Sequence, residues 1–433
     1  MERIVVTGLG AVTPIGNTVG EFWKNLTAGV SGVGPITQFD TEGFAVRIAA
    51  EVKGFDPTDY IGAKEARRSH RSAHFALAAA RQAVDDAGLT LNGPNAADVG
   101  VVMNTGVGGA SELEYAGQTY AEKGPRRISP MLVPTIMPNA VACLVSIHMG
   151  TRGPVITSTS ACASGTQALL DALHLLRRGE AQVVIAGSTE ASITPVATAS
   201  FANARALSRR NDDPQRASRP FDKDRDGFVM GEGGVVMILE TESHARRRGA
   251  RVYAEIAGGA LTADAYHITA PDPNGDGAVR AMSRALQFSE MHPEEIDTVF
   301  AHGTSTPLND VTETQAIKAV FGEHADKLAI SATKSMVGHL LGAAGGISAL
   351  AAVLAVRDDM VPPTINLENP DPECDLDYVP QVARRRPIRA AMVNAFGFGG
   401  RNAVVVVRKA DWNGRRWTIS GALAIWDNVK RKT

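Results

Sequence analysis

Cysteine is nearly missing from the chain: Cys143, Cys162 and Cys374 are three among 433 residues. So sparse and odd a set excludes a disulfide framework and points to a reducing compartment, so a cytoplasmic protein is expected. A charge excess is missing too. The formal net charge is −2, which gives no global electrostatic case for nucleic acid or a membrane surface. No uncharged apolar run reaches the roughly 20 residues that span a bilayer, so no membrane span is expected. The opening Met1-Glu-Arg-Ile-Val-Val-Thr-Gly lacks the apolar core of a signal peptide. Two ligand motifs are begun and not completed. Asp222-Lys-Asp224-Arg-Asp226-Gly227 starts like a calcium loop, but its twelfth position is Gly233 instead of a bidentate Glu. Gly8-Leu-Gly10-Ala-Val-Thr-Pro14 lacks the third glycine of a dinucleotide fingerprint, and Pro14 interrupts the helix that should follow. No metal site is expected.

What is present reads as α/β, because short apolar runs alternate with helical patterns. Strands are expected at Arg3–Thr7, Val99–Met103, Val155–Thr157, Val183–Ala186, Val235–Leu239, Thr298–Ala301, Leu328–Ser331 and Ala403–Val407. All eight read as buried. Helices are expected at Ala73–Ala87, Gly165–Arg178, Gly277–Phe288, Val311–Phe321 and Gly345–Arg357. The chain also echoes itself. A helix leads through Val99-Gly-Val-Val-Met-Asn104-Thr-Gly, and a later one through Asp297-Thr-Val-Phe-Ala-His302-Gly-Thr. Ile156-Thr-Ser-Thr-Ser-Ala-Cys162 and Ile330-Ser-Ala-Thr-Lys334-Ser-Met both stand before a helix. Two similar halves, residues 1–255 and 256–408, account for both pairs. A basic tail, 409–433, holds three of the four tryptophans.

Cys162 follows an apolar β-branched run and precedes an apolar helical pattern, which puts a thiol at a strand-to-helix turn. Unpaired N–H groups and the helix dipole there favour the thiolate, and small neighbours leave room for a substrate carbonyl. His302 and His339 are ringed by glycine and small hydroxyl residues instead of large packing partners. Neutral imidazoles so placed can donate to a thioester oxygen and stabilise a developing enolate. Lys334 is expected to act on neighbouring pKa values and to pair with Glu313. The loop Asn394-Ala-Phe396-Gly-Phe398-Gly-Gly400-Arg401-Asn402 offers backbone N–H groups for an oxyanion hole.

The Cys162 turn, His302-Gly-Thr-Ser-Thr306, Lys334-Ser-Met-Val-Gly-His339 and Gly397-Phe-Gly-Gly400 together resemble the elongating β-ketoacyl-acyl-carrier-protein synthases, the synthase II subgroup of the thiolase superfamily. Ala204-Arg-Ala-Leu-Ser and Ser218-Arg-Pro-Phe-Asp-Lys-Asp-Arg-Asp-Gly-Phe228 extend the resemblance, which runs from Met1 to about Val407. It implies a layered αβαβα fold of two fused halves, a homodimer, and decarboxylative condensation of an acyl thioester with malonyl-acyl carrier protein. Cys162 would carry the acyl chain, and His302 and His339 would polarise the malonyl thioester, with Lys334 in support. The N–H groups of Cys162 and Phe398 would form the oxyanion hole, Phe398 also serving as the gate. Thr304 and Thr306 would meet the pantetheine arm. Val107 would lie at the floor of the acyl pocket, with Phe201, Phe396 and Gly399 also contacting substrate. Glu313 and Asp310 would support the site. Lys64, Arg67, Arg68, Arg126, Arg127 and Arg205 would meet the acidic carrier. No cofactor is implied beyond the carrier's phosphopantetheine. Arg401 departs from the family, which usually has Thr or His there. A polyketide ketosynthase and a non-catalytic chain-length partner share the fold; Cys162 speaks against the second. A second catalytic cysteine for a thiolase is missing, and His339 does not fit the Cys, His and Asn of a starter-unit synthase.

Overall fold

The computed structural model describes residues 2–91 and 93–410, so most of the tryptophan-bearing tail lies outside the described residues. Ten strands make one sheet: β1 (Ile4–Val12), β2 (Val99–Asn104), β3 (Val155–Ile156), β4 (Val183–Glu190), β5 (Gly233–Thr241), β6 (Ala254–Ala263), β7 (Thr298–Phe300), β8 (Ala329–Ser331), β9 (Ala390–Gly397) and β10 (Arg401–Arg408). Their order across the sheet is β8-β7-β9-β10-β6-β1-β5-β4-β2-β3. Each half repeats one pattern. An edge strand lies parallel to its neighbour, that neighbour lies parallel to the next, and two antiparallel strands complete the half. The halves join at an antiparallel seam, where Val5 and Val6 of β1 face Glu255 and Ala254 of β6. The division expected after residue 255 therefore cuts inside β6.

Among the described residues, seven helices have ten residues or more: α1 (Arg71–Ala87), α2 (Ala110–Lys123), α3 (Ala140–Met149), α4 (Ser164–Arg177), α5 (Asp276–Phe288), α6 (Pro307–Phe321) and α7 (Ala344–Asp358). Strand alternation assigns them to layers. Val183 and Ile185 of β4 pack with α1 and α3, whereas Val184 and Ala186 pack with α4 and α7. In the other half, Val404 and Val406 meet α5 and α6, while Val405 and Val407 turn to α4 and α7. The result is αβαβα, with α4 and α7 sandwiched between the two halves of the sheet. Both middle helices bury nearly their whole surface, which is why α7 is apolar all round. The stretch Leu341–Asp358 is long and apolar enough to cross a membrane, but 89% of it is buried inside the protein, as befits a core helix. The two helices touch backbone to backbone: a Cβ on Gly165 would stand 2.3 Å from the Gly346 nitrogen. Glycine is required there.

The expected helices match α1, α4, α5 and α7 within two residues, while α6 starts four residues early because Pro307 suits a first helical position. Two expectations fail. The run at Val155–Thr157 is an edge strand of two residues with Val155 exposed, not a buried strand. The glycine-rich loop is shorter than expected, because its first half is strand β9 and only residues 398–400 form the turn. The helices α2 and α3 carry no sequence expectation at all.

Candidate active site

Beyond the edge strand β3, the chain enters a 3-10 turn, Ala161–Ala163, that runs directly into α4. Ala161 takes φ +49°, a left-handed conformation rare outside glycine, and the next residue is Cys162. Strain of this kind survives only where the surrounding structure enforces it. The second half repeats the device: Leu341 takes φ +44° and opens the turn Leu341–Ala343 before α7.

Cys162 lies on the wall of a cavity of about 520 Å3, together with His302, His339, Thr304, Thr306 and Phe398. Burial pushes its thiol up to about 11; the charge of Lys334 and the N–H groups of Phe398 and Cys162 act the other way. The expected thiolate is therefore not the resting form. The thiol is 8% exposed, and it sits two residues before the first turn of α4 instead of within it. Gly397 explains how the opposite wall comes so close. A Cβ there would stand 2.6 Å from the Ser160 carbonyl oxygen and 3.1 Å from the Cys162 nitrogen.

The histidine rings lie 5.6 Å apart and nearly perpendicular. Leu341 N–H donates to His339 Nδ1 at 3.2 Å, so that nitrogen is unprotonated and the proton of the neutral ring sits on Nε2. Lys334 Nζ stands 3.5 Å from His302 Nδ1 and donates to the His302 carbonyl at 2.5 Å, which assigns His302 the same tautomer. Burial, the Lys334 charge and the neighbouring ring hold His302 well below the usual histidine range; burial and Lys334 do the same for His339. Both rings are neutral Nε2–H donors.

Lys334 does not line the cavity and makes no ion pair with Glu313. Burial pulls its ammonium down to about 8, with Glu313 opposing at longer range. It stands behind His302 and holds that residue's carbonyl. Glu313 instead accepts the N–H groups of His302 and Gly303, each at 2.8 Å, and the Asn394 amide at 3.1 Å. Asp310 accepts the Phe221 N–H at 2.8 Å and lies 3.6 Å from Arg225. Arg225 in turn donates to the carbonyls of Thr306 and Pro307, fixing the segment that presents Thr304 and Thr306. The hydroxyls of those threonines are 2.8 Å apart.

Val107, Phe201, Phe396 and Arg205 also line the cavity. Val107 is 46% exposed, however, so in the single chain it is an open wall and not a floor. Gly399 does not line the cavity; its N–H donates to the Ile268 carbonyl at 2.7 Å. Asp264 completes that strut by donating its N–H to the Gly400 carbonyl at 2.9 Å and accepting the Asn402 amide at 2.6 Å. Arg401 is exposed at the start of β10. Among the expected carrier contacts, Lys64, Arg67 and Arg68 lie on or beside the short helix Ala63–Ala66, and Arg126 and Arg127 lie past the end of α2. Sequence reasoning missed Arg225, Asn394, Asp264 and the buried Glu190. A charged residue closing an apolar strand, as Glu190 does, was the available signal. The false calcium loop, Asp222 to Asp226, is engaged by arginines: Arg219 Nε lies 3.1 Å from Asp222, and Arg225 donates to the Asp222 carbonyl.

The family model described as "Beta-ketoacyl synthase, N-terminal domain" matches residues 1–245, and its C-terminal counterpart matches residues 253–368. The chain belongs to the beta-ketoacyl synthase family. This beta-ketoacyl synthase is 53% identical over 408 residues to a 3-oxoacyl-[acyl-carrier-protein] synthase 2 of Synechocystis, covering 94% of the chain and 98% of the relative. A synthase 2 of Coxiella burnetii is 47% identical over 94% of the chain and 99% of its own length. Among solved structures, the ishigamide ketosynthase/chain length factor superposes with a TM-score of 0.89 at 37% identity, over 94% of this chain and 99% of that one. A type II PKS acyl-carrier protein in complex with its ketosynthase bound to the hexaketide gives 0.87 at 36%, covering 95% and 100%. The beta-ketoacyl synthase is thus a condensing acyltransferase with a thiolase-like fold.

Proposed function

We propose that the chain condenses an acyl thioester with malonyl-acyl carrier protein, giving 3-oxoacyl-acyl carrier protein, CO2 and free carrier, and that Cys162, His302 and His339 do the work. The observation that carries this reading is the pair of neutral Nε2–H imidazoles beside a buried thiol. In the first step Cys162 displaces the carrier thiol and becomes the acyl thioester. In the second, the malonyl carrier enters with its thioester oxygen between the two Nε2–H groups. The C–C bond to the carboxylate breaks, CO2 leaves, and the bonding pair becomes an enolate held by those donors. The enolate carbon then attacks the acyl carbonyl of Cys162. The oxyanion formed is received by the N–H groups of Cys162 and Phe398, and its collapse expels the Cys162 sulfur, which regains a proton. No redox group or metal enters these steps, since loss of CO2 supplies the drive.

Fatty acid elongation is preferred to a polyketide role because the synthase 2 relatives are 47–53% identical, against 36–37% for the polyketide enzymes. The carrier would approach over Lys64, Arg67, Arg68, Arg126, Arg127 and Arg205, cations suited to an acidic protein. The three free thiols suit a reducing cytoplasm. A second copy of the chain would cover the exposed edge strand β3 and apolar side chains exposed in the same half, among them Val107, Leu113, Met131, Val133 and Ile147. The solution mass of the purified protein should therefore be that of a homodimer.

Incubation with acyl-carrier and malonyl-carrier substrates should yield 3-oxoacyl product; a folded protein that makes none overturns the reading. In the same assay Val107→Phe should shorten the longest accepted acyl primer, because the added ring fills part of the cavity wall. An unchanged chain-length profile would remove Val107 from the acyl pocket.

A further inference from the structure

Glu190 ends β4 just as Gly397 ends β9, the matching strand of the other half. Both strands are eight residues long. Likewise, Gly342 is the middle residue of the turn before α7, the place that Cys162 holds in the turn before α4. The symmetry puts the Gly342 N–H where the nucleophile half has the N–H of Cys162. The two are used differently. At Cys162 the neighbouring strand end is a glycine, and the space in front of the N–H is left to substrate. At Gly342 the neighbouring strand end is a fully buried carboxylate, and its Oε2 accepts both the Gly342 N–H at 3.0 Å and the Gly106 N–H at 2.8 Å. Its other oxygen accepts the hydroxyls of Thr105 at 3.2 Å and Ser192 at 2.9 Å.

We propose that Glu190 is a positioning residue for condensation, an internal carboxyl group whose oxygen fills the second half's counterpart of the oxyanion hole and thereby sets both His339 and the acyl wall. The proposal rests on the assignment of His339 above. The chain of contacts is short. Oε2 fixes Gly342; the residue before it, Leu341, supplies the N–H that sets the His339 tautomer. The same oxygen fixes Gly106, whose neighbour Val107 lines the cavity. Burial pushes the carboxyl up in pKa while the four donors oppose it, yet positioning needs only the oxygen at the ε2 place. That separates geometry from charge.

Glu190→Gln can keep an oxygen there and offer its amide hydrogens to the two hydroxyls, which can accept. It should condense within a few-fold of the parent rate. Glu190→Ala, checked by thermal unfolding, should lose about 100-fold in kcat with the KM for malonyl carrier little changed, as misplacement near reacting groups does. Formate should restore part of that loss, and chloride at equal ionic strength none. Glu190→Asp keeps the charge but withdraws the oxygen by about 1.5 Å, so it should lose kcat as well, and it serves if the alanine variant does not fold. A folded Glu190→Gln as impaired as the alanine or aspartate variant overturns the proposal. So does an alanine or aspartate variant with the parent's kcat. A parent protein that makes no product condemns the reading of His339 instead, which the parallel assay of the parent reveals.

Discussion

A protein with glutamine in place of Cys162 should form no 3-oxoacyl product while still releasing CO2 from malonyl carrier. The expected loss of condensation is about 10⁴-fold or more, the scale on which removal of a covalent nucleophile is felt. The chemistry divides at this residue. Carbon–carbon bond formation needs an acyl group on a sulfur, and Cys143 and Cys374 do not line the cavity. Decarboxylation needs only an oxygen acceptor site between the two imidazoles, and their setting does not pass through Cys162. His302 is held by Glu313 and Lys334, and His339 by Leu341. A glutamine side chain also carries a carbonyl that can take the N–H groups of Cys162 and Phe398, as an acyl thioester would. Labelled malonyl carrier, with CO2 and product counted separately, gives the result. Normal condensation by the variant would remove Cys162 from the mechanism.

The second large effect belongs to the histidines. Replacing either His302 or His339 with alanine should cut decarboxylation by about 10²–10³-fold, the usual consequence of removing one preorganised donor from a developing oxyanion. Transfer of the acyl group onto Cys162 should survive, which a mass measurement of the protein after one turnover detects. Loss of both activities alike would make the histidines structural. The pH dependence follows from the sign of the shifts. Both rings are held well below the ordinary histidine value, so they are already neutral at pH 6.5 and stay neutral as pH rises. The decarboxylation rate should therefore show no histidine limb between about pH 6 and 8. It should fall only on further acidification, when a proton on His339 Nδ1 would confront the Leu341 N–H. A limb near 6.5 would refute the neutral-donor assignment.

Much of this site was legible in the sequence because its residues stand at the ends of periodic elements. Cys162 follows an apolar run and precedes an amphipathic one, and glycines frame both histidines. The protonation state of Cys162 was not legible, since it depends on burial by segments far along the chain. The pairing of Lys334 with Glu313 was misread for the same reason, although the Lys334 charge does act on the neighbouring pKa values and Glu313 does support the site. Opposite charges suggest a pair, but the fold sends Glu313 to the main chain of His302 and Gly303 and sends Lys334 to the carbonyl of His302. In the fold, short apolar runs gave eight of the ten strands, whereas β6 carried no strand range and β9 was hidden because its end merges into a glycine-rich turn. The edge strand β3 looked buried because Val155 and Ile156 are apolar, and composition does not report which strand ends a sheet.

The strand order bears on how the protein can be made. The first strand synthesised, β1, takes its partners from residues 233–241 and 254–263, and the last, β10, is inserted between β6 and β9. At ribosomal speeds of about 5–20 residues per second, β1 waits roughly ten to fifty seconds for its first neighbour. All that time its backbone groups bond water in place of a neighbouring strand. The sheet cannot close until Arg408 has left the exit tunnel, so the apolar strands made before it stay open to wrong pairing throughout synthesis.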